Sequence, residues 1–498
     1  MTTAVSPKAA ADAAMPLPKN RGAYYGGQWH EPKSGRFVET INPGTGLSLG
    51  KVADAGAADI DAAVAAAKSA FKEWRRVLPL ERAKILRHMA EILRQNANEL
   101  AMIDAADCGN PVREMVSDAM IAAAQMEFFA GFVTEMKGSS IPMGPEVINF
   151  SVREPLGVIG RIIPFNHPFM FCAGKSAAPL AAGNTVVVKP PEQSPLSALR
   201  LAELIGGLLP PGAFNVVPGG RDAGQRLASH PDIAMVALIG SVPTGRSVMK
   251  AAADTVKRVM LELGGKNALI AFPDADPDAV ATAAIGGMNF TWCGQSCGST
   301  SRAFIHERIH DAVVERIKAK IKAFKPGLPT DPATTMGAII SKTQLDRVIG
   351  YIETTKKEGA TLIAGGGPPA DPALANGFYI EPTVFLVTPK NRIAHEEIFG
   401  PVLGVLKWRD EAQMIEDVNA VEYGLTASIW TDDLNAAHRT AMAVEAGYVW
   451  INEVGKHFLG APFGGYKQSG LGREECFEEM LSFTQEKNIH VRLKPAKT

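Results

Sequence analysis

A rhythm in the second two-thirds of this 498-residue chain limits the folds open to it. From residue 156, short apolar runs at 158–163, 185–188, 214–217, 235–239 and 258–261 alternate with intervals long enough for a helix. A second series follows Asn267, at 268–272, 302–305, 403–406, 427–430 and 448–452. Strands spaced by helix-length segments imply βαβ units, and runs without polar alternation imply parallel sheets buried on both faces. The predicted class is α/β. The first third reads as mainly helical: Ile60, Val64, Ala67, Phe71 and Trp74 recur at three- and four-residue steps, predicting a helix over 60–75. Residues 138–148 read as a loop leading into an alternating strand through Phe150 and Val152, and 488–493 as a terminal strand.

Composition removes several functional classes. Lys plus Arg total 51 against 52 Asp plus Glu, a balance without the basic footprint of a nucleic-acid or lipid-surface protein. No apolar run reaches the roughly 18–20 residues of a membrane helix. Five cysteines in a chain this long do not form a disulfide framework and point to a reducing compartment, with room for one reactive thiol. The start, MTTAVSPKAAADAAMPLPKNRG, has no continuous apolar stretch and reads as a disordered Ala/Pro-rich arm over 1–22, so a cytoplasmic location is expected.

Three places carry chemistry. Gly240, Ser241 and Gly245 lie in GSVPTG, between a predicted strand and a predicted helix. A helix N-terminus entered through a glycine turn favours a phosphate, although such turns are as often only tight connections. Lys189 and Glu192, just past the 185–188 strand, have the residue types that hold ribose hydroxyls, or are surface charges in a Pro-rich turn. Cys297 lies among glycines and small polar residues in WCGQSCGST, Glu262 ends a strand in LELGGKN, and Asn166 follows a strand in IIPFNHP. They read as a thiol nucleophile, a general base and an oxyanion donor, or as a buried thiol and structural acceptors. Cys293, Cys297, His306 and His310 superficially have the spacing of a zinc site, but the interval is short for a finger and SRAFI reads as a buried strand, so no metal is expected.

Seven motifs in order give the chain a resemblance to the aldehyde dehydrogenase superfamily, from about residue 23 to 493: IIPFNHP, GNTVVVKPPE, GSVPTG, LELGGKN, GQSC, EEIFGPV and PFGGYKQSGLGRE. The resemblance implies a Rossmann-like cofactor domain (23–137 and 156–264), an α/β catalytic domain (265–481) and oligomerisation strands (138–155 and 482–498). It makes Cys297 the nucleophile and Glu262 the base, with Asn166 and a backbone N–H as oxyanion hole and Lys175 nearby. Lys189 and Glu192 would hold the adenine ribose, Gly240, Ser241 and Gly245 the pyrophosphate turn, and Glu397 and Phe399 the nicotinamide end. It puts His167, Met170, Gly174, Trp292, Ser296, His457 and Phe463 around the substrate tunnel.

Some of these depart from the family's usual pattern. Phe165 stands where Trp is usual, His167 where Phe or Tyr is usual, and Trp292 where Asn is common. Gly174 replaces a bulky aromatic, which implies a wider tunnel and a bulky, aromatic or polar-tailed aldehyde. The implied reaction is oxidation of an aldehyde to the acid, with NAD favoured over NADP because Glu192 would repel a 2′-phosphate. A homodimer or homotetramer is implied. The alternatives are a CoA-acylating relative, which would commonly lack Glu262, and a non-catalytic protein on the same scaffold.

Overall fold

The computed structural model describes residues 15–493. Both predicted strand series form sheets. In the first, Phe214–Val216, Thr185–Lys189, Val158–Ile162, Ile233–Ile239 and Arg258–Glu262 lie side by side and parallel. The second runs Thr383–Val387, Val402–Trp408, Arg302–His306, Ala268–Ala271, Thr426–Trp430 and Tyr448–Ile451, also parallel. Val158–Ile162, Thr185–Lys189, Ala268–Ala271 and Arg302–His306 are buried at every residue, as strands covered on both faces must be.

Helices cover the first sheet. Ala57–Trp74 buries Ile60, Ala63, Val64, Ala67, Ala70 and Trp74 along one stripe, and Asp59 accepts from Gly56 N (3.0 Å) at its start. On the other face, Pro168–Ala181 is buried along nearly its whole length because Pro79–Gln95 and Val112–Gly131 pack over it. A third sheet joins Thr484–Arg492, Val147–Pro155 and Ser140–Pro142 in antiparallel register. The terminal strand is therefore longer than 488–493, and a short strand lies inside the predicted 138–148 loop.

Three features differ from the sequence reading. The segment before the first helix is not helical but forms small antiparallel pairs, Ala23–Tyr25 with Gln28–His30 and Phe37–Ile41 with Ser48–Ala53. Residues 1–14 of the predicted disordered arm lie outside the described residues. Residues 15–22 are ordered against the domain: Met15 and Leu17 pack on its core, and Asn20 N and Nδ2 donate to Glu203 Oε1 (2.7 and 2.9 Å). Finally, the chain does not stay with the second sheet to residue 481. Gly470–Leu471 pairs antiparallel with the edge strand Arg258–Glu262 of the first sheet, and Met480 and Phe483 enter that sheet's core.

This return is fastened by charge. Arg161, in the middle of the first sheet and 1% exposed, donates to Glu474 Oε1 and Glu479 Oε1, both at 3.3 Å, and its guanidinium lies over the Phe483 ring. Removing one partner of a buried ion pair leaves the other charged without compensation and costs about 3–5 kcal/mol. Arg161→Leu is expected to lose about that much unfolding free energy in urea denaturation; a loss below about 1 kcal/mol would mean the network behaves like a surface pair.

Candidate active site

The carboxyl ends of the parallel strands in the first sheet converge on a cleft of about 630 Å³. Brought together there are Ile163–Phe165 after one strand, Lys189 and Glu192 after the next, and Gly240 and Ser241 after Ile233–Ile239. A crevice outside the strand ends is where an open α/β sheet takes a nucleotide. Ser241 is the N-cap of the helix Val242–Ala253: its hydroxyl accepts from Thr244 N (3.4 Å) and lies 2.9 Å from Thr244 Oγ1. Ser241, Pro243 and Thr244 are exposed at this helix start, whose positive dipole end on the cleft wall favours a phosphate.

Lys189 is 8% exposed, and burial lowers its ammonium pKa despite the opposing charge of Glu192. Glu192 is exposed on the cleft wall, with Oε2 3.0 Å from where a Cβ on Gly220 would stand. Gly245 is not part of the wall. A Cβ there would meet Leu263 Cδ1 at 2.7 Å, so this glycine lets the helix lie close against the chain beyond strand Arg258–Glu262.

A smaller cavity of about 140 Å³ continues from this cleft and brings together Asn166, Ser241, Glu262, Cys297, Glu397 and Phe399. The thiol, carboxyl and amide, 131 residues apart at their extremes by subtraction of 166 from 297, thus share one wall. Cys297 is half-buried, with its thiol turned into the wall, whereas the other four cysteines are fully buried. Its thiol faces the Glu262 carboxyl, and its Sγ also receives the Gly298 backbone N–H. Burial, and then the neighbouring Glu262, push the Cys297 thiol well above its ordinary range. Burial, with Glu474 behind it, raises Glu262 to about 8, and Glu262 Oε1 has no hydrogen-bond partner.

The loop bearing Cys297 is pinned through its carbonyl, which accepts from Asn267 Nδ2 at 2.7 Å. Asn166 is anchored through its backbone carbonyl, which accepts from Asn110 Nδ2 (2.6 Å), and its side-chain Oδ1 is buried with no hydrogen-bond partner among the described residues. Glu397 accepts from Gly265 N (3.1 Å), and Phe399 meets Phe165 edge-on at 5.6 Å.

Lys175 lies behind this wall rather than on it. Its Nζ is 3.0 Å from Glu474 Oε2 and 3.6 Å from Glu475 Oε1. Burial alone would lower its pKa, but the three carboxylates Glu474, Glu475 and Glu479 outweigh burial and hold it well above the usual lysine range. Burial also acts to raise Glu475, yet Lys175 and His457 keep it at about 2. Lys175 is therefore a fixed cation whose field lowers Glu262 and partly offsets burial.

The aldehyde dehydrogenase family profile matches residues 29–489. An aldehyde dehydrogenase, tropH, of Talaromyces stipitatus is 49% identical over 486 residues, 96% of this chain and 94% of that protein. The chain belongs to the aldehyde dehydrogenase family.

Solved structures of the family agree along the whole length. A putative aldehyde dehydrogenase from Burkholderia cenocepacia has 40% identity and a TM-score of 0.94, with 97% of this chain and 99% of that one covered. PnpE in complex with nicotinamide adenine dinucleotide has 39% identity and a TM-score of 0.94, with 96% and 99% covered. The α/β class, the Rossmann-type nucleotide fold and the oxidoreductase type expected from the motifs thus hold for this chain.

The residues expected around the tunnel are arranged unevenly. His167 is buried, its Nδ1 2.7 Å from Asp118 Oδ2, and its ring meets Trp292 and Phe171 edge-on at 4.7 and 5.7 Å. Met170 and Ser296 are half-buried. His457 is exposed, stacks on Tyr448, meets the Phe463 ring at a tilt of 42°, and lies 3.1 Å from Glu475 Oε2. The extra room predicted from Gly174 is absent: a Cβ there would stand 1.8 Å from Gln125 Oε1, because the side chain of Gln125, on the helix Val112–Gly131, fills that space. A wider tunnel at Gly174 is therefore not a property of this chain.

His306 caps the helix Glu307–Lys320 and His310 pairs with Asp311, so both zinc-spaced histidines have structural work. No group of three or more possible ligands for a metal occurs among the described residues.

Several neighbours of the site were not identified from sequence. Gln344 and Arg347 line the smaller cavity, where Gln344 Nε2 donates to the Phe399 carbonyl (2.8 Å) and Arg347 Nη2 to the Glu397 carbonyl (2.8 Å). Glu474 ends the motif PFGGYKQSGLGRE, the one sequence sign that it mattered; Asp118 and Gln125 carried none. Because Glu262 contributes to the high thiol pKa, Glu262→Gln is expected to move the pH midpoint of Cys297 alkylation by iodoacetamide downward by about one unit. An unchanged or higher midpoint would separate the two groups.

Proposed function

We propose that this enzyme oxidises an aldehyde to the carboxylic acid with NAD, through a thiohemiacetal and then a thioester on Cys297. The observation that carries this reading is the shared wall of Cys297, Glu262 and Asn166 at the inner end of the nucleotide cleft. The cleft suits the dinucleotide: Lys189 and Glu192 would take the ribose hydroxyls of its adenosine, Ser241 and the start of the following helix its pyrophosphate, and Glu397 and Phe399 its nicotinamide end. When bound, NAD supplies the hydride acceptor.

The protein's own part follows from the geometry. Glu262, as carboxylate, takes the thiol proton while the sulfur bonds to the aldehyde carbon. The carbonyl oxygen becomes an oxyanion, held by the Asn166 side-chain N–H and a backbone N–H; removal of such a donor typically costs about 3–4 kcal/mol of transition-state stabilisation. Once the adduct has lost its hydride, the acyl group is bound to sulfur as a thioester. Glu262 passes the thiol proton to solvent and, again a carboxylate, takes a proton from water as the water oxygen bonds to the acyl carbon; that proton returns to the sulfur as it leaves. The carbon–sulfur bond breaks, and the thiol and the acid are restored. A base with pKa about 8 is matched to this work near neutral pH.

Glu262 favours the hydrolytic reading over CoA acylation, since water needs a base and a thiol acceptor does not. The exposed Glu192 carboxylate favours free ribose hydroxyls over a 2′-phosphate, hence NAD over NADP. With Gly174 sealed by Gln125, the polar groups around His167 support a polar-tailed aldehyde rather than a merely bulky one. The exposed strand Ser140–Pro142, the half-buried Val147–Pro155 and the exposed terminal strand Thr484–Arg492 are the elements we assign to a homo-oligomer.

The test is NADH production from an aldehyde panel with and without CoA. The expected outcome is CoA-independent turnover with a higher specificity constant for NAD than for NADP, loss of turnover in Cys297→Ala, and a burst of at most one equivalent in Glu262→Gln. Strict CoA dependence, or full steady-state activity of Glu262→Gln, would overturn the hydrolytic role.

A further inference from the structure

One face of the helix Lys342–Lys357 grips four consecutive residues of the chain that forms the cavity wall. Gln344, Arg347 and Tyr351 stand three and four residues apart, so all three side chains leave the helix on the same side. The Tyr351 hydroxyl donates to Glu396 Oε2 (2.7 Å), and Arg347 Nη2 donates to the Glu397 carbonyl (2.8 Å). Gln344 Nε2 donates twice, to the carbonyls of Ile398 (3.1 Å) and Phe399 (2.8 Å). Val348, on the same face, packs under the next residue: a Cβ on Gly400 would stand 2.4 Å from its Cγ2.

The grip holds a conformation that the chain would otherwise leave. Phe399 has φ +56°, in the left-handed region, where a bulky side chain crowds its own backbone. Such a residue persists only where its surroundings over-determine it. The two Gln344 bonds fall on the carbonyls either side of the Phe399 Cα and so constrain both of its torsions. The ring is thereby held in the cavity that also contains Cys297.

The helix is tied to the nucleophile as well. Gln295, buried two residues before Cys297, accepts at Oε1 from Ile340 N (3.1 Å) and donates from Nε2 to the Ala338 carbonyl (3.4 Å). Ser341 then caps the helix by accepting from Gln344 N (3.2 Å). Side-chain bonds through residues 338–344 thus connect the thiol loop to Phe399. Cys297 and Asn166 have separate anchors, at Asn267 and Asn110, and Glu262 is held in its strand. Glu397 keeps its own bond from Gly265 N. Loss of the Gln344 donor therefore frees Phe399 and leaves the groups of the acyl chemistry in place.

We infer that Gln344 is a positioning residue for the hydride step: it holds Phe399 in its strained setting so that the nicotinamide end of the coenzyme meets the Cys297 adduct at a fixed distance. The inference rests on reading this cavity as the meeting point of aldehyde and NAD. Transfer between two held carbons is steep in distance and angle, and a misplacement of about 1 Å costs about a hundredfold. Attack by the thiol and release of the acyl group do not involve Phe399.

The test uses the full-length enzyme and Gln344→Met, which keeps the length of the side chain and loses the donor. Two activities are measured on each preparation. One is NADH formation from an aldehyde. The other is hydrolysis of p-nitrophenyl acetate without coenzyme, in which the thiol bonds to the acyl carbon, nitrophenolate leaves, and water releases acetate. The ratio of the first to the second should fall by about ten- to a hundredfold, through kcat rather than the KM for NAD. The deuterium isotope effect on kcat from aldehyde deuterated at C1 should rise, and Arg347→Met should lower the ratio less. In the coenzyme-free protein, amide hydrogen exchange over 396–402 should quicken by about tenfold or more in Gln344→Met, without a matching change over 289–300.

A ratio unmoved by Gln344→Met, two activities that fall together, or unchanged exchange over 396–402 would overturn the positioning role and leave the dehydrogenase reading intact. Ester hydrolysis by the unaltered protein with no NADH from any aldehyde would overturn that reading, and the inference with it.

Discussion

The buried ion network around Arg161, Lys175 and Glu474 holds the two halves of this molecule in working register. Arg161 sits in a central strand of the first sheet, Lys175 on the helix that follows Asn166, and Glu474 on the segment that returns from the second sheet. Two cations share the Glu474 carboxylate, at 3.3 and 3.0 Å, and Glu475 and Glu479 complete their coordination. Charges this deep are tolerable only when each is paired and held. That requirement fixes the return segment, whose Gly470–Leu471 strand closes over the edge bearing Glu262. The same charges then set the chemistry: Glu474 adds to the burial that raises Glu262, and Lys175 opposes it. Support and reactivity come from one set of side chains.

A second consequence concerns protons. Glu262, raised to about 8, and Cys297, raised further, face each other in a closed wall, so the resting pair retains protons that free groups would release. A raised acid in the folded state costs stability as pH climbs from its unfolded value near 4.3 toward 8, because the unfolded chain ionises there and the native carboxyl does not. The enzyme thus holds its base in a form that is unfavourable for stability and suited to catalysis, a trade common at sites that must accept a proton near neutral pH.

Much of this was legible in the sequence. Buried parallel strands announce themselves as unbroken apolar runs, and all ten predicted in the two series exist, with ends shifted by one or two residues. Cys297, Glu262 and Asn166 could be singled out because strand ends and glycine turns mark where a side chain meets a crevice. Long-range pairing was not legible. Nothing local links Arg161 to Glu479 or Asp118 to His167, and the return of residues 470–483 to the first sheet breaks the rule that neighbours in sequence share a domain. Gly174 shows the limit most clearly: an absent side chain suggested empty space, but Gln125, 49 residues earlier by subtraction, fills it. Gly245 looked like a phosphate glycine and is a packing glycine, since close approach and ligand contact ask for the same residue.

The proposed mechanism requires that Cys297 carry an acyl group that Glu262 releases. Intact-protein mass spectrometry of Glu262→Gln, mixed with NAD and a turned-over aldehyde, tests this directly. The predicted species is heavier than the free protein by the aldehyde less two hydrogen atoms, with the addition mapped by proteolysis to Cys297. No addition, an adduct of the full aldehyde mass, or an acyl group on another residue would contradict the thioester route.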